Sequence, residues 1–264
     1  MLGGKNKQLH RPRRSANGYT IIEVMIVLAV SGVIFLAAVN FVNGKQERTA
    51  FSSGVNTMAS QIQDVIEQVA DGQYNDEPIT CGQTGAGTLN ITVGTGAAAQ
   101  GTQPTCVFLG KSLTFASGTT NTFSVYPVAG LRIDGSGNEI TNLSSAQATR
   151  VGSLITTQDM SQNLSVVGIS TGGNYTAARQ IAFLQSLGQA GDAAGVLGDG
   201  AQTVALYYGA NSSNLSSITQ SSGISICLTD GTRYGTIDIG LNSNSGGTLN
   251  VNVANIGTTA CKTS

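Results

Sequence analysis

The sequence predicts an α+β protein: one long N-terminal helix, transmembrane in its first half and amphipathic in its second, packed on a β-rich antiparallel head. Three observations lead there. Residues 19–42, "YTIIEVMIVLAVSGVIFLAAVNFV", carry a single charge, Glu23. Directly after them, apolar residues recur at helical spacing. From about residue 73 the chain breaks into short alternating segments separated by Gly, Asn, Asp and Ser clusters, the pattern of strands and turns.

The first segment, residues 1–18, holds Lys5, Lys7, Arg11, Arg13 and Arg14, the only histidine, His10, and no acid. Of the chain's 13 Lys and Arg, these five stand before Gly18, so everything from Tyr19 onward is mildly acidic against all 14 Asp and Glu. Bases flanking an apolar run stay on the cytoplasmic side of a membrane. The remainder of the chain shows no basic run suited to nucleic acid.

The run 19–42 reaches about 36 Å as a helix and can span a bilayer. An ordinary secretory signal has a shorter apolar stretch followed by a small-x-small cleavage site. Here the small residue, Gly18, stands before the apolar run instead. An uncleaved signal anchor has the same topology but gives Glu23 no purpose. Beyond Asn43 and Gly44, Phe51, Val55, Met58, Ile62, Val65 and Val69 fall on one helical face, while Lys45, Glu47, Arg48, Gln61, Asp64 and Glu67 are polar. One helix from Tyr19 to Asp71, about 80 Å long, would meet two solvents. Gly44 and the "SSG" at 52–54 are points where it can bend, and Asp71-Gly72 ends it.

The head begins at residue 72. Strand character appears in "TLNITVG" (88–94), "TFSVYPV" (122–128), "TVALYYG" (203–209), "ISICLT" (224–229), "GTIDIG" (235–240) and "TLNVNVA" (248–254). "AARQIAFLQSLG" (177–188) reads as a second helix. Asp230-Gly231 between apolar alternations predicts a tight hairpin with both central residues at positive φ, and the last three strands are expected in one antiparallel sheet. Cys81, Cys106, Cys227 and Cys261 lie beyond the apolar run, with no C-x-x-C spacing and no histidine nearby. That argues against zinc and for two disulfides in an oxidising compartment. Three pairings are open; the sequence-local one, Cys81 with Cys106 and Cys227 with Cys261, closes each loop within a contiguous stretch. Four reduced, buried cysteines are the alternative.

An acid in a membrane segment costs a few kcal/mol even on mild insertion scales, so it has a partner or a function. No base lies between Tyr19 and Asn43. A cut after Gly18 would create one, the α-amino group of Tyr19, four residues from Glu23. Between staggered parallel helices, that amine and the carboxylate of a neighbour would neutralise each other and set the register of an assembly.

"GYTIIEVMIVLAVSGVI" resembles the class III signal of type IV prepilins and type II secretion pseudopilins: a short basic leader, a glycine before the cut, an apolar helix and a glutamate just inside it. The resemblance implies a pilin-like fold. It makes Gly18-Tyr19 the prepilin peptidase bond, Tyr19 the N-methylated first residue, and Glu23 the guide for filament assembly. The partners it implies are other pilin subunits, the prepilin peptidase, an inner-membrane assembly platform and the membrane. The expected location is the cytoplasmic membrane, single-pass with the head outside, then an extracellular or periplasmic filament. Tyr19 stands where Phe is commonest, and Asn40 where many relatives carry a helix-kinking proline. "DGTRYGTIDIG" and "GGTLNVNVANIG" are similar to the C-terminal strands of H-type minor pseudopilins.

Other chemistry is poorly provided for. No histidine follows Gly18, which removes Ser-His and Cys-His pairs. Asp76-Glu77 before Pro78 reads as a solvated turn. "DGSGNE" (134–139) imitates half a calcium loop, but Glu139 stands where that loop needs glycine and Ser145 where it needs an acid; an Asp-Gly turn accounts for it better. The glycine-rich stretches 94–101, 188–200 and 241–247 read as surface loops, none placed as a nucleotide-binding turn. Lys111, Arg132, Arg150, Arg179, Arg233 and Lys262 are spread along the head, so no nucleic acid is expected as a partner. No enzyme activity, cofactor or metal is expected. The organisation read from the sequence is therefore a basic leader (1–18), a long helix (19–71, transmembrane 19–42) and an extracytoplasmic head (72–264). The predicted function is a structural subunit of a type IV pilus or pseudopilus serving adhesion, motility or secretion. The alternative is a bitopic cell-surface binding protein on an uncleaved signal anchor.

Overall fold

The structure is a computed structural model that describes residues 18–73, 77–83, 89–94, 106–116, 121–140, 145–172, 175–176, 178–185, 204–215, 219–241, 249–257 and 261, with side chains at all of these but 40–44, 83, 241 and 255. The leader to residue 17, Asp76, Lys262 and most of the three glycine-rich stretches lie outside the described residues. The fold is α+β. It divides into two compact units, the first ending at Arg48 and the second running from Thr49 to Ser264. Helix α1 (Ile21–Ala70) contributes to both.

In the first unit, α1 is apolar on all sides but for Glu23 and Ser31 from Ile21 to Val39, and none of that stretch is buried. It is long and apolar enough to cross a membrane. In the second unit the helix has one apolar face, and Phe51, Val55, Met58, Ile62, Val65 and Val69 are all 2% exposed or less. Each such side chain contributes about 1.5–3 kcal/mol on burial, enough to hold the helix whatever its intrinsic propensity. Its C-terminus closes in a Schellman arrangement. Gly72, at φ +66°, donates its N–H to the Val69 carbonyl at 3.2 Å, and Gln73 donates to Gln68 at 2.7 Å. Glycine there adopts the left-handed conformation without the Cβ clash other residues would suffer.

Among the described residues the head carries three antiparallel sheets. The first is a two-stranded ribbon of β1 (Ile79–Gln83) and β2 (Leu89–Val93). The largest, of seven strands, runs in the order β11-β10-β9-β3-β4-β5, with β6 also on β4. Its members are β3 (Cys106–Phe115), β4 (Thr122–Leu131), β5 (Thr149–Arg150), β6 (Thr156–Asp159), β9 (Gln180–Gln185), β10 (Val204–Gly209) and β11 (Thr219–Ser221). The third, in the order β14-β13-β12-β7-β8, comprises β7 (Ser165–Ser170), β8 (Tyr175–Thr176), β12 (Gly223–Thr229), β13 (Tyr234–Leu241) and β14 (Leu249–Gly257). The main core gathers the α1 stripe with Leu113, Phe115, Phe123 and Phe183 of the large sheet and Ile169, Ile226, Ile237 and Ile239 of the third. A second core, with Leu109, Val128, Ala182 and Leu184, fills the opposite face of the large sheet and takes in Leu89 of the ribbon.

Two sequence expectations need correcting. The segment expected as a second helix, 177–188, is strand β9 where it is described. Ile181 and Phe183 enter the main core while Ala182 and Leu184 enter the second. A strand covered on both faces loses its polar–apolar alternation, and its short apolar run is then indistinguishable from a buried helical turn. The Asp230-Gly231 hairpin is present, joining β12 to β13, but Thr229 pairs with Tyr234 across a four-residue loop and only Gly231 has positive φ. Asp230 builds that loop: its Oδ1 accepts from the backbone N–H of Thr232 (2.8 Å) and Arg233 (2.7 Å).

Candidate functional site

The residues singled out at the N-terminus sit where α1 begins. Glu23 lies in the first turn of the helix. Thr20 caps that turn: its Oγ1 accepts the Glu23 backbone N–H at 3.2 Å, and its carbonyl accepts from Val24 at 3.1 Å. A threonine three residues before a glutamate is the spacing of a capping box, and a carboxylate in the first turn faces the positive end of the helix dipole. The sequence reading passed over Thr20, although the T-x-x-E spacing was there to be read. The bond uses the Glu23 backbone N–H, so the local use of the carboxylate itself is its place at the positive end of the helix.

Gly18 and Tyr19 precede the cap, and Tyr19 is 80% exposed. A Cβ built on Gly18 would meet nothing within 4 Å. Neither space nor backbone in the folded chain requires glycine there. Beyond it, Ile21, Ile22, Met25, Leu28, Val33, Ile34, Phe35 and Leu36 are all more than half exposed. An apolar surface of this extent on a helix needs lipid or other helices to cover it.

The same residues match the family described as "Prokaryotic N-terminal methylation motif", over residues 13–39. The chain carries a prokaryotic N-terminal methylation motif. The methylation motif takes in Gly18, Tyr19, Thr20 and Glu23 and extends along the exposed apolar helix to Val39. The motif supports a type IV pilin-like precursor, and a motif of this kind implies processing by a prepilin peptidase and assembly with other pilins. With the apolar helix it points to a membrane-anchored protein. No curated protein and no solved structure matches the chain.

In the head, all four cysteines are paired. Cys81 bonds Cys106, with Cα atoms 5.5 Å apart, and so fastens the ribbon to the start of β3; Cys227 bonds Cys261, at 6.3 Å, and fastens the segment after β14 onto β12. The five described bases of the head are each engaged within it. Lys111 donates to Gln68 Oε1 at 2.6 Å, and burial lowers its pKa. It stands beside the last turn of α1, which has no base of its own, and so complements the negative helix end from across the core. Arg150 donates to Thr114 and Asn211, both at 2.8 Å, and lies over the Tyr126 ring at 4.6 Å. Arg179 donates to the Val166 carbonyl, tying β7 to the start of β9. Arg132 pairs with Glu139 at 3.7 Å and Arg233 with Asp230 at 3.2 Å.

The calcium-like stretch is a self-contained turn. Asp134 Oδ1 accepts from the N–H groups of Ser136 (2.9 Å) and Asn138 (2.8 Å), and Oδ2 from the Asn138 amide (3.1 Å). The side-chain bond from Asn138 does most to hold the Asp134 carboxyl below its usual range. Its hydrogen bonds serve the loop. Glu77 is exposed.

Proposed function

We propose that this chain is the precursor of a filament subunit of the type IV pilus or pseudopilus kind. The observation that carries the reading is the methylation motif at residues 13–39 on an apolar helix with no burial of its own. Residues 1–18 are the leader, removed by cleavage between Gly18 and Tyr19. Tyr19 is then N-methylated. The new amine of Tyr19 pairs with Glu23 of a neighbouring subunit, and the two charges neutralise each other in lipid, where an isolated carboxylate costs a few kcal/mol. The apolar part of the helix, residues 19–42, anchors the precursor as a single span with the head outside the cytoplasm. After assembly it forms the packed centre of the filament. Residues 43–71 continue the helix into the head, 72–264, whose surface serves adhesion, motility or secretion, with two disulfides suited to an oxidising compartment.

One observation favours the second reading, a surface protein on an uncleaved anchor: Glu23 stands in the first turn of α1, where a carboxylate complements the positive end of the helix with no cut and no partner. Two substitutions separate the readings. Glutamine serves at the third helical position of a capping box as well as glutamate does, whereas alanine does not. Under the filament reading Glu23→Gln and Glu23→Ala both give processed subunits that enter filaments poorly, because both lose the charge. Under the anchor reading Glu23→Gln behaves as the wild type. Immunoblotting of sheared filaments against the membrane fraction measures the difference.

A further inference from the structure

Buried polar atoms have hydrogen-bond partners as a rule, and buried charges are paired. Among the described residues, Arg150 Nε is the only buried side-chain nitrogen that lacks a partner. The other atoms in that position are amide oxygens and one hydroxyl, which carry no charge. Arg132 and Arg233 each face a carboxylate. Arg150 does not: burial lowers its pKa, and only Tyr126 acts in the other direction.

The side chain is nevertheless held in one orientation. Arg150 stands opposite Val128 of β4, on the sheet face that the second core covers. From there it lies over the Tyr126 ring, with Cζ 4.6 Å from the centroid, and Nη1 donates to both Thr114 Oγ1 and Asn211 Oδ1. Both hydrogens of Nη1 are thereby used. The other edge of the guanidinium, Nε with Nη2, has no acceptor among the described residues. Such an edge is a fork that matches the two oxygens of a carboxylate side by side.

Ile155 adds a second feature to the same face. It is 46% exposed, and among the described residues of the head no other large apolar side chain is left exposed. Its backbone is extended, at φ −69° and ψ 133°, and it directly precedes β6. Val125 pairs with Thr156, so the next position of that antiparallel register sets Ile155 opposite Tyr126. By alternation both share the side of Ser124 and Thr157. A lone exposed isoleucine is unremarked on most surfaces. Here it lies next to an arginine with an unused fork, and the two together make an amphiphilic pair. Asp159, further along β6, is exposed and does not act on Arg150.

We propose that Arg150, Tyr126 and Ile155 bind a small carboxylic acid with an apolar body. Nε and Nη2 of Arg150 donate to its two oxygens, and its hydrocarbon part lies against Ile155 and the edge of the Tyr126 ring. Thr114 and Asn211 act as positioning residues by fixing the guanidinium. The site uses nothing of the methylation motif, so it stands or falls independently of the filament reading.

The test follows the Arg150 Nε–Hε and Tyr126 ring signals by NMR, in the full chain held in nanodiscs of zwitterionic lipid. Titration with butyrate is expected to shift both signals saturably. Acetate should bind several-fold more weakly, for want of two methylenes, and inorganic phosphate no better than acetate. Butyramide, and sodium chloride at equal ionic strength, should leave the signals in place. Arg150→Lys keeps the charge but not the fork; read at the Tyr126 ring, it is expected to weaken butyrate about tenfold, the loss of one charge-assisted hydrogen bond. Ile155→Ser changes an exposed position and should bring butyrate down to the affinity of acetate, with the head's melting temperature measured alongside as a check on folding. The proposal is overturned by the absence of a saturable shift, by equal affinity for acetate and butyrate in the wild type, or by a like response to butyramide or chloride. Tighter binding of phosphate than of butyrate, or wild-type affinity in a folded Arg150→Lys head, would overturn it equally.

Discussion

The two parts of α1 are one secondary-structure element with two different surfaces. From Ile21 to Val39 it is apolar on every side but for Glu23 and Ser31, with no burial; from Phe51 to Val69 it is apolar on one side, and that side is sealed in the main core. Helix propensity does not distinguish them. The number of apolar faces does, because a helix must present to each neighbour a surface that neighbour can solvate. The head therefore carries its own core, while the described apolar residues of the first part are left exposed.

That contrast can be broken by substitution, most forcefully at matched isoleucines. Ile62 is fully buried and Ile26 is 58% exposed. Ile62→Ala is expected to cost the head about 2–5 kcal/mol in denaturant unfolding, the usual loss for a core aliphatic. Ile26→Ala should leave that unfolding unchanged within about 0.5 kcal/mol. A similar cost for both would contradict the division.

Next in size is the disulfide that ties down the end of the head. The Cys227–Cys261 loop spans 34 residues, so replacing both cysteines by serine is expected to lower head stability by about 3–4 kcal/mol in the chain-entropy account. Membrane insertion of the first part should be unaffected, which carbonate extraction measures.

Two glycines sharpen the comparison further. A Cβ on Gly235 would come 3.3 Å from Phe51 Cε1 and Val55 Cγ2, whereas one on Gly18 meets nothing. Gly235→Leu is therefore expected to cost about 1–3 kcal/mol by overpacking. Gly18→Leu should leave the melting temperature of the head where it was.

The smallest expected effect belongs to Asp230. Partial burial alone would raise its carboxyl, but hydrogen bonds from the Thr232 and Arg233 N–H groups and the Thr232 hydroxyl, with the Arg233 charge, together hold it below the usual range. A depressed carboxyl stabilises the fold above its unfolded value, about 3.9, and loses that contribution as pH falls through the folded value. Asp230→Asn should therefore lower the melting temperature slightly at neutral pH, and the gap should close in acid. An undiminished gap in acid would show that the carboxylate's charge is not what matters.

Much of this was legible in the sequence where the two sides of an element differ. The buried stripe of α1 could be read because its other side stays wet, and β4, β10, β12, β13 and β14 because they alternate. Legibility failed where both sides are buried, as in β9, or where the pattern is interrupted by tertiary need. β3 was missed for the second reason. It bulges between Phe108 and Gly110, with Gly110 at φ +155°, and then buries Lys111 to reach Gln68. Nothing local in "CVFLGKSLTF" announces a lysine with a partner on a distant helix. At the N-terminus the glutamate drew attention as an acid in an apolar run, and the cap that Thr20 makes on the Glu23 backbone N–H went unread beside it. The tail that resembles H-type minor pseudopilins folds as a plain β12–β13–β14 meander, a shape that suits many heads.

The central claim is that the first part of the chain is made to be cut and built into an assembly, and the mature N-terminus tests it most directly. Intact mass and N-terminal peptide analysis of the membrane-extracted protein, from cells with an active prepilin peptidase, should find a chain that starts at Tyr19 and carries one methyl group on its α-amine. A chain still carrying residues 1–18 would contradict the account and leave Glu23 as the third residue of a helix cap.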